Sequence, residues 1–392
     1  MKRNSRRLRK RMMEADHKKE QKMKIAILSM QRIVNFGSVL QAYSLRGMIQ
    51  SLTDSPVVFL DIDEGNVLES QKSIRESVDY EQPAAYPPGI WQKGKRWLIA
   101  RLSAYNKRLI RTFMSEELKL DAQNSQQNYD LVVVGSDEVF NHARGINLQL
   151  HGQVPQAKTV ISYAAACGSA SAEDILPEDV ERVKRAMSCF QAVSVRDSAT
   201  QAYAAKLYEG KIERHLDPVL VGDLYCREHR RVFLKKYLLV YAYGQRIRTR
   251  EEIDAIRNYA KAHGLKTVAM GGSQFWCDLY LPASPMRMLD YFYHADAVVT
   301  DTFHGVVFSV INHKPFAVIL RKTNQNKLDG LLADLGLTDR KLSAMPQLED
   351  ILSAKPDYDA VDAILGRERQ RARAYLAKQL GVEHGTDEAA EE

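Results

Sequence analysis

The sequence is sparing with cysteine. Its four (Cys167, Cys189, Cys226, Cys277) lie far apart and form no CxxC pair. A disulfide framework and a zinc site are therefore not expected, and a reducing cytoplasm is the economical location. No apolar run approaches the ~20 residues that a membrane-spanning helix needs. The apolar stretch 25–28 is too short for the core of a secretion signal and reads as a strand. Glycine (21) and proline (12) are too few for a collagen-like or low-complexity chain. The first Gly-containing turn is neither GxGxxG nor GxxxxGKS/T, and no GxSxG occurs, so no dinucleotide, P-loop or Ser-hydrolase signature marks the chain.

What is present is ordinary globular composition, 45% apolar and 27% charged over 392 residues, enough for two domains or three. The net charge of +7 is a local matter. Residues 1–22 hold ten Lys/Arg and three Asp/Glu, and the remaining 370 carry 46 of each sign. A folded nucleic-acid binder should show a basic face on its body, so no nucleic-acid partner is expected. The basic segment reads as a solvated extension, with contact to an anionic membrane surface as the functional alternative. Residues 383–392 form an acidic tail.

Short apolar runs alternate with amphipathic stretches, which argues for α/β architecture with parallel sheets. Strands are expected at 24–29, 57–61, 131–134, 159–163 and 193–195, with helices at 38–51, 178–189 and 199–207. The pattern restarts after 221. Strands are expected at 237–243, 266–270, 297–300 and 316–320, with helices at 250–263, 284–294, 305–312, 328–335 and 359–380. The spacing predicts a basic disordered extension (1–23), an N-terminal Rossmann-like domain (24–221) with a partly helical insertion (62–128), a C-terminal Rossmann-like domain (222–345), and a helix with an acidic tail (346–392). Two doubly wound domains would then face a cleft.

The polar signatures sit just after expected strands: NFGS, GSDEVFN and RDS in the first half, GGS and DTFHG in the second. In open parallel sheets ligands bind beyond the carboxyl ends of the strands, so these loops would line the cleft. Asn35, Gly37 and Ser38 lie on a strand–helix turn that suits an anion or merely a cap. Gly135, Ser136 and Asp137 form a second turn, with Asp137 able to act as a base or to cap. Arg196 ends a buried strand and either pairs with Asp197 or grips a carboxylate or phosphate. His304 follows Asp301 by three residues and precedes a buried helix, a setting that can tune an imidazole for proton transfer or anion contact. Nothing at ligand spacing resembles a metal site.

The segments NFGSVLQAYSL, YDLVVVGSDEVFN, ISYAAACGS, VSVRDSAT, HLDPVLV, VVTDTFHGVVFSVINHKPF and NKLDGLLADLGL, in this order, resemble the polysaccharide pyruvyltransferase family from about Lys24 to Leu337, with a gap over residues 62–128. The resemblance implies a GT-B-like fold. It implies transfer of the enolpyruvyl unit of phosphoenolpyruvate to a sugar of a cell-surface polysaccharide or its lipid-linked precursor, with no cofactor beyond that donor substrate. It makes His304 and Asp137 the catalytic candidates. Arg196, Thr302, Gly305, Arg321 and Lys322 become donor candidates, and Asn35, Gly37, Ser38, Gly135, Ser136 and Asp301 acceptor or cleft residues. The chain departs from the family at one place, where some members carry Arg two residues before the histidine and this chain has Thr302. Arg321, Lys322 or Lys327 would supply the missing charge. Two rival readings stay open: a GT-B transferase using a nucleotide sugar, and a non-catalytic scaffold anchored by the basic tail.

Overall fold

The computed structural model describes residues 22–63, 65, 67–68, 90–120, 128–142, 145–321 and 324–382. Nearly all of the basic segment, part of the 62–128 stretch, Lys322 and the acidic tail lie outside the described residues.

Two six-stranded sheets, every pairing parallel, organise the chain. The first is built from β1 (Ile25–Leu28), β2 (Val57–Phe59), β3 (Tyr129–Asp137), β4 (Ala157–Ala165), β5 (Phe190–Val195) and β6 (Ile212–Arg214), in the order β2-β1-β3-β4-β5-β6. The second is built from β7 (Tyr237–Ala242), β8 (Lys266–Gly271), β9 (Leu279–Tyr280), β10 (Ala297–Thr300), β11 (Phe316–Ile319) and β12 (Lys341–Leu342), in the order β12-β11-β10-β7-β8-β9. Strand order reverses between β1 and β3 in one sheet and between β7 and β10 in the other. Those two positions are where an open α/β sheet leaves a crevice. Central strands such as IAIL and FAVI are buried along their whole length. Helices cover both faces, so these strands carry unbroken apolar runs rather than alternation.

The helices are α1 (Phe36–Gln50), α2 (Ile90–Glu116), α3 (Pro177–Met187), α4 (Ser198–Ala205), α5 (Pro218–Val221), α6 (Arg250–Ala262), α7 (Pro285–His294), α8 (Phe303–Ile311), α9 (Gln325–Asp334), α10 (Leu348–Ser353) and α11 (Tyr358–Leu380). Two of them, α1 and α8, are buried almost all round. Each follows the strand at its sheet's reversal point, and both belong to one continuous apolar core that joins the domains. The helix expected from residue 305 begins at Phe303 because the Thr302 hydroxyl caps it, accepting the Gly305 N–H at 2.9 Å. His304 therefore stands on the first helical turn, not in a loop.

The chain crosses between the domains more than once. α2, from the expected insertion, lies against both: Ile110 and Phe113 join the core around α1, while Ile99 joins the core of the second sheet. The Asn106 carboxamide oxygen accepts the Ala283 N–H at 3.0 Å, and Lys95 Nζ donates to the Cys277 carbonyl at 2.6 Å. α11 returns to the first sheet, where the Tyr375 hydroxyl donates to the Ser162 carbonyl at 2.8 Å.

Candidate active site

The N-termini of α1 and α8 meet at the junction of the domains. Asn35 caps α1, its side chain accepting the Ser38 N–H at 2.7 Å. The next residues run against the His304 ring. A Cβ built on Gly37 would stand 2.6 Å from Cγ and Cε1 of that ring, so only glycine lets the helix and the imidazole come together. Both helix N-termini bring positive potential to the same place.

A carboxylate from the first domain faces the imidazole of the second. Asp217 is fully buried at the start of α5 and sits 3.7 Å from His304 Nε2. Its Oδ1 accepts the Val219 N–H at 3.0 Å, and its Oδ2 accepts from Gln41 Nε2 on α1. Arg196 Nη1 donates to the same oxygen at 3.5 Å. The Arg196 guanidinium also lies 4.1 Å over the Phe303 ring, a cation–π contact across the domain boundary. Its 3.9 Å approach to Asp197 is looser, since Asp197 is occupied capping α4 through the Thr200 N–H at 2.8 Å.

Burial pushes the His304 imidazole down to about 4, against the opposing pull of Asp217, so it is neutral near pH 7. Among the described residues its Nε2 has no hydrogen-bond partner. An unfolded histidine titrates near 6.5. Between those values the unfolded chain holds the extra proton, so this group's contribution to stability is lost as pH falls from about 6.5 toward 4. We expect the wild type to lose about 3 kcal/mol through this group over that interval, and His304→Gln to lack that loss. Urea midpoints of the two proteins at pH 7 and pH 4.5 measure it; parallel shifts would place the imidazole in water.

On the cleft side, Asp137 ends β3 with φ 78° and accepts the Ser38 hydroxyl and, at 2.8 Å, the Glu138 N–H. It caps no helix. Crowding by protein raises its carboxyl, partly offset by Ser38. Gly135 and Ser136 are buried at the strand end, where the Ser136 carbonyl accepts the Ser29 hydroxyl at 2.8 Å. Glu138 reaches across the cleft to Lys327 Nζ of α9, at 2.8 Å. Burial works to raise the Glu138 carboxyl, but Lys327 and then Arg196 and Asn141 hold it at about 2. Tyr243, just beyond β7, is 55% exposed and lies in the field of Lys327, Glu138 and Asp137.

The remaining candidates fall elsewhere. Thr302 is committed to the helix cap, and Gly305 donates to it while packing on Thr300. Asp301 is fully buried behind the helix start, 3.3 Å from Arg246 and 3.6 Å from Arg321, and burial raises it to about 6 despite those two cations. Arg321 is committed elsewhere, donating to Glu252 at 2.6 Å and to the Arg246 carbonyl at 3.2 Å. Lys322 lies outside the described residues. Among the described candidates beyond β11, Lys327 is the cation that reaches Glu138 at the cleft. Sequence reasoning gave no role to Asp217, Glu138 or Gln41. Only the position of Asp217 in HLDP, after an edge strand and before a Pro-started turn, carried a signal.

The span that supplies Asn35, Gly37, Asp137, Arg196, Asp217 and His304 is also the span that matches a family pattern, described as polysaccharide pyruvyl transferase, over residues 35–323. The chain belongs to that family. The family is one of transferases, and a sugar acceptor goes with it. No curated protein matches the chain. Among solved structures it is similar to Methanocaldococcus jannaschii UDP-GlcNAc 2-epimerase in complex with UDP-GlcNAc and UDP, at 13% identity and TM-score 0.44, covering 91% of this chain and 99% of that one. It is also similar to a Polygonum tinctorium UDP-glucosyltransferase (9%, TM-score 0.43, 92% and 99% covered). A third is α,α-trehalose 6-phosphate synthase from Burkholderia multivorans (11%, TM-score 0.47, 92% and 98% covered). Likenesses this distant say nothing about the chemistry of this chain. Among the described residues no group of three or more His, Cys, Asp or Glu is placed to hold a metal ion, and no helix is long and apolar enough to cross a membrane.

Proposed function

We propose that the protein transfers the enolpyruvyl unit of phosphoenolpyruvate to two hydroxyls of one sugar, giving a pyruvate ketal and inorganic phosphate. The observation that supports this most is the buried Arg196–Asp217–His304 cluster, which joins a fixed cation to a neutral imidazole between two helix N-termini. A donor carrying both a carboxylate and a phosphate needs such cations and N–H groups.

The Asp137 carboxyl, raised by its surroundings, hands a proton to C3 of the donor, making the methyl group and leaving C2 electron-poor. A sugar hydroxyl adds to C2 while neutral His304 takes its proton. The C2–O bond to phosphate then breaks as the second hydroxyl adds to C2. His304 returns its proton to the departing phosphate, and the second hydroxyl's proton restores Asp137. Arg196 and Lys327 hold the anionic donor, and Asn35, Gly37 and Ser38 border the acceptor side. This reading uses phosphoenolpyruvate as substrate and calls on no metal or other cofactor.

The acceptor in this reading is a sugar of a cell-surface polysaccharide or of its lipid-linked precursor, modified in the cytoplasm. Contact of residues 1–22 with an anionic leaflet would keep the enzyme near such a precursor.

Titration calorimetry with phosphoenolpyruvate, beside UDP, GDP and CMP, tests the donor. Binding of phosphoenolpyruvate alone, lost in Arg196→Ala and His304→Ala, is the expected result. Binding of a nucleotide in its place would overturn it and favour a nucleotide-sugar transferase.

A further inference from the structure

The outward face of α2 has no covering element among the described residues, and its chemistry is unlike the rest of the surface. The helix runs for 27 residues, IWQKGKRWLIARLSAYNKRLIRTFMSE, and its acidic side chains wait until the final residue, Glu116. Helical geometry sorts the rest cleanly. Ile99, Asn106, Ile110 and Phe113 turn inward and are buried. On the opposite side, at steps of three and four residues, stand Lys93, Trp97, Arg101, Tyr105, Arg108 and Arg111, all exposed. Trp97 is 62% exposed, Tyr105 50% and the neighbouring Leu98 51%. The Arg101 guanidinium lies 4.9 Å from the centre of the Trp97 ring.

A solvated helix face has no use for an indole and a leucine, and a protein-packing face has no use for four cations. Both belong together where anionic headgroups overlie hydrocarbon. Lys and Arg meet the phosphates there, while Trp, Tyr and Leu enter the boundary beneath. A second copy of the chain is a poor occupant, because two such faces would set like charges against each other. Outside residues 1–22 the chain balances its charges, so this concentration on one helix is a feature of the helix itself.

We propose that the outer face of α2 docks the protein on an anionic phospholipid surface. Because α2 is fastened to the first domain through Phe113 and to the second through Asn106 and Lys95, docking there would hold both domains against the bilayer at once. The proposal stands apart from the transfer chemistry, since the face contributes no side chain to the cluster around His304.

The full chain is mixed with vesicles of equal parts phosphatidylglycerol and phosphatidylcholine, and with pure phosphatidylcholine. Binding to the anionic vesicles is expected, weakening as salt rises. The variant Arg101→Glu/Arg108→Glu/Arg111→Glu should lose at least about tenfold in partition with an unchanged melting midpoint, because its positions are exposed. Deletion of residues 1–22 should cost less than that. Phospholipids brominated along their chains should quench tryptophan fluorescence in the wild type, and much of that quenching should vanish in Trp97→Phe. A triple variant that binds like the wild type, or a tail deletion that alone abolishes binding, would overturn the assignment. So would retention of single-stranded RNA in place of vesicles.

Discussion

His304→Ala is expected to lower the rate of phosphate release by about 10²–10⁴ while the protein stays folded, the range for loss of a positioned proton-transfer group. The fold should survive because Asp217, the group the imidazole faces, keeps its other partners: the Val219 N–H, Gln41 and Arg196. The ring itself has little to lose, since its Nε2 makes no hydrogen bond among the described residues. It contacts Phe303 and Phe308, with centroids 5.4 and 5.7 Å away. Single-turnover measurement of phosphate release, with circular dichroism as the fold check, decides the matter. A folded variant with normal turnover removes His304 from the chemistry. Asp217→Asn is the informative companion. It keeps the shape but takes away the charge that both the imidazole and Arg196 face, and it should fall in the same range.

Gly37→Ala is expected to behave like the loss of His304 without touching it. The added methyl would occupy the space of the imidazole, and the ring must swing away from Asp217 or α1 must retreat. Overpacking of this kind costs about 1–3 kcal/mol, and the displaced ring should take the rate down with it. The double variant Gly37→Ala/His304→Ala separates the two causes. With the ring gone the methyl has room, so the Gly37→Ala penalty in urea denaturation should largely disappear in that background. A penalty of equal size with and without the ring would mean that Gly37 serves the backbone of α1 alone.

Legibility followed burial. β1, β3, β10 and β11 were readable because helices cover both of their faces and leave uninterrupted apolar runs. β6, β9 and β12 were not, because IER, LY and KL are short strands near or at the sheet edges with no run to detect. The same contrast holds at the site. Asp137, Arg196 and His304 stood out as polar residues placed just beyond apolar strands. Asp217, Gln41 and the Glu138–Lys327 pair acquire meaning only when the two domains meet, and no local spacing encodes that meeting. The Thr302 hydroxyl has a plain local purpose, since it starts α8, while Lys327 of the same domain reaches across the cleft to Glu138.

The return of α11 to the first sheet has a consequence for how the chain is made. The Ser162 carbonyl in β4 receives its partner from Tyr375, whose ring also packs against His215 and Tyr163. A ribosome delivers β4 long before it delivers that tyrosine. The first domain can collapse early, as N-terminal domains do, but it must wait with part of its sheet uncovered while the whole second domain emerges. Only then does α11 close over it, so the two domains complete each other's folding late and together.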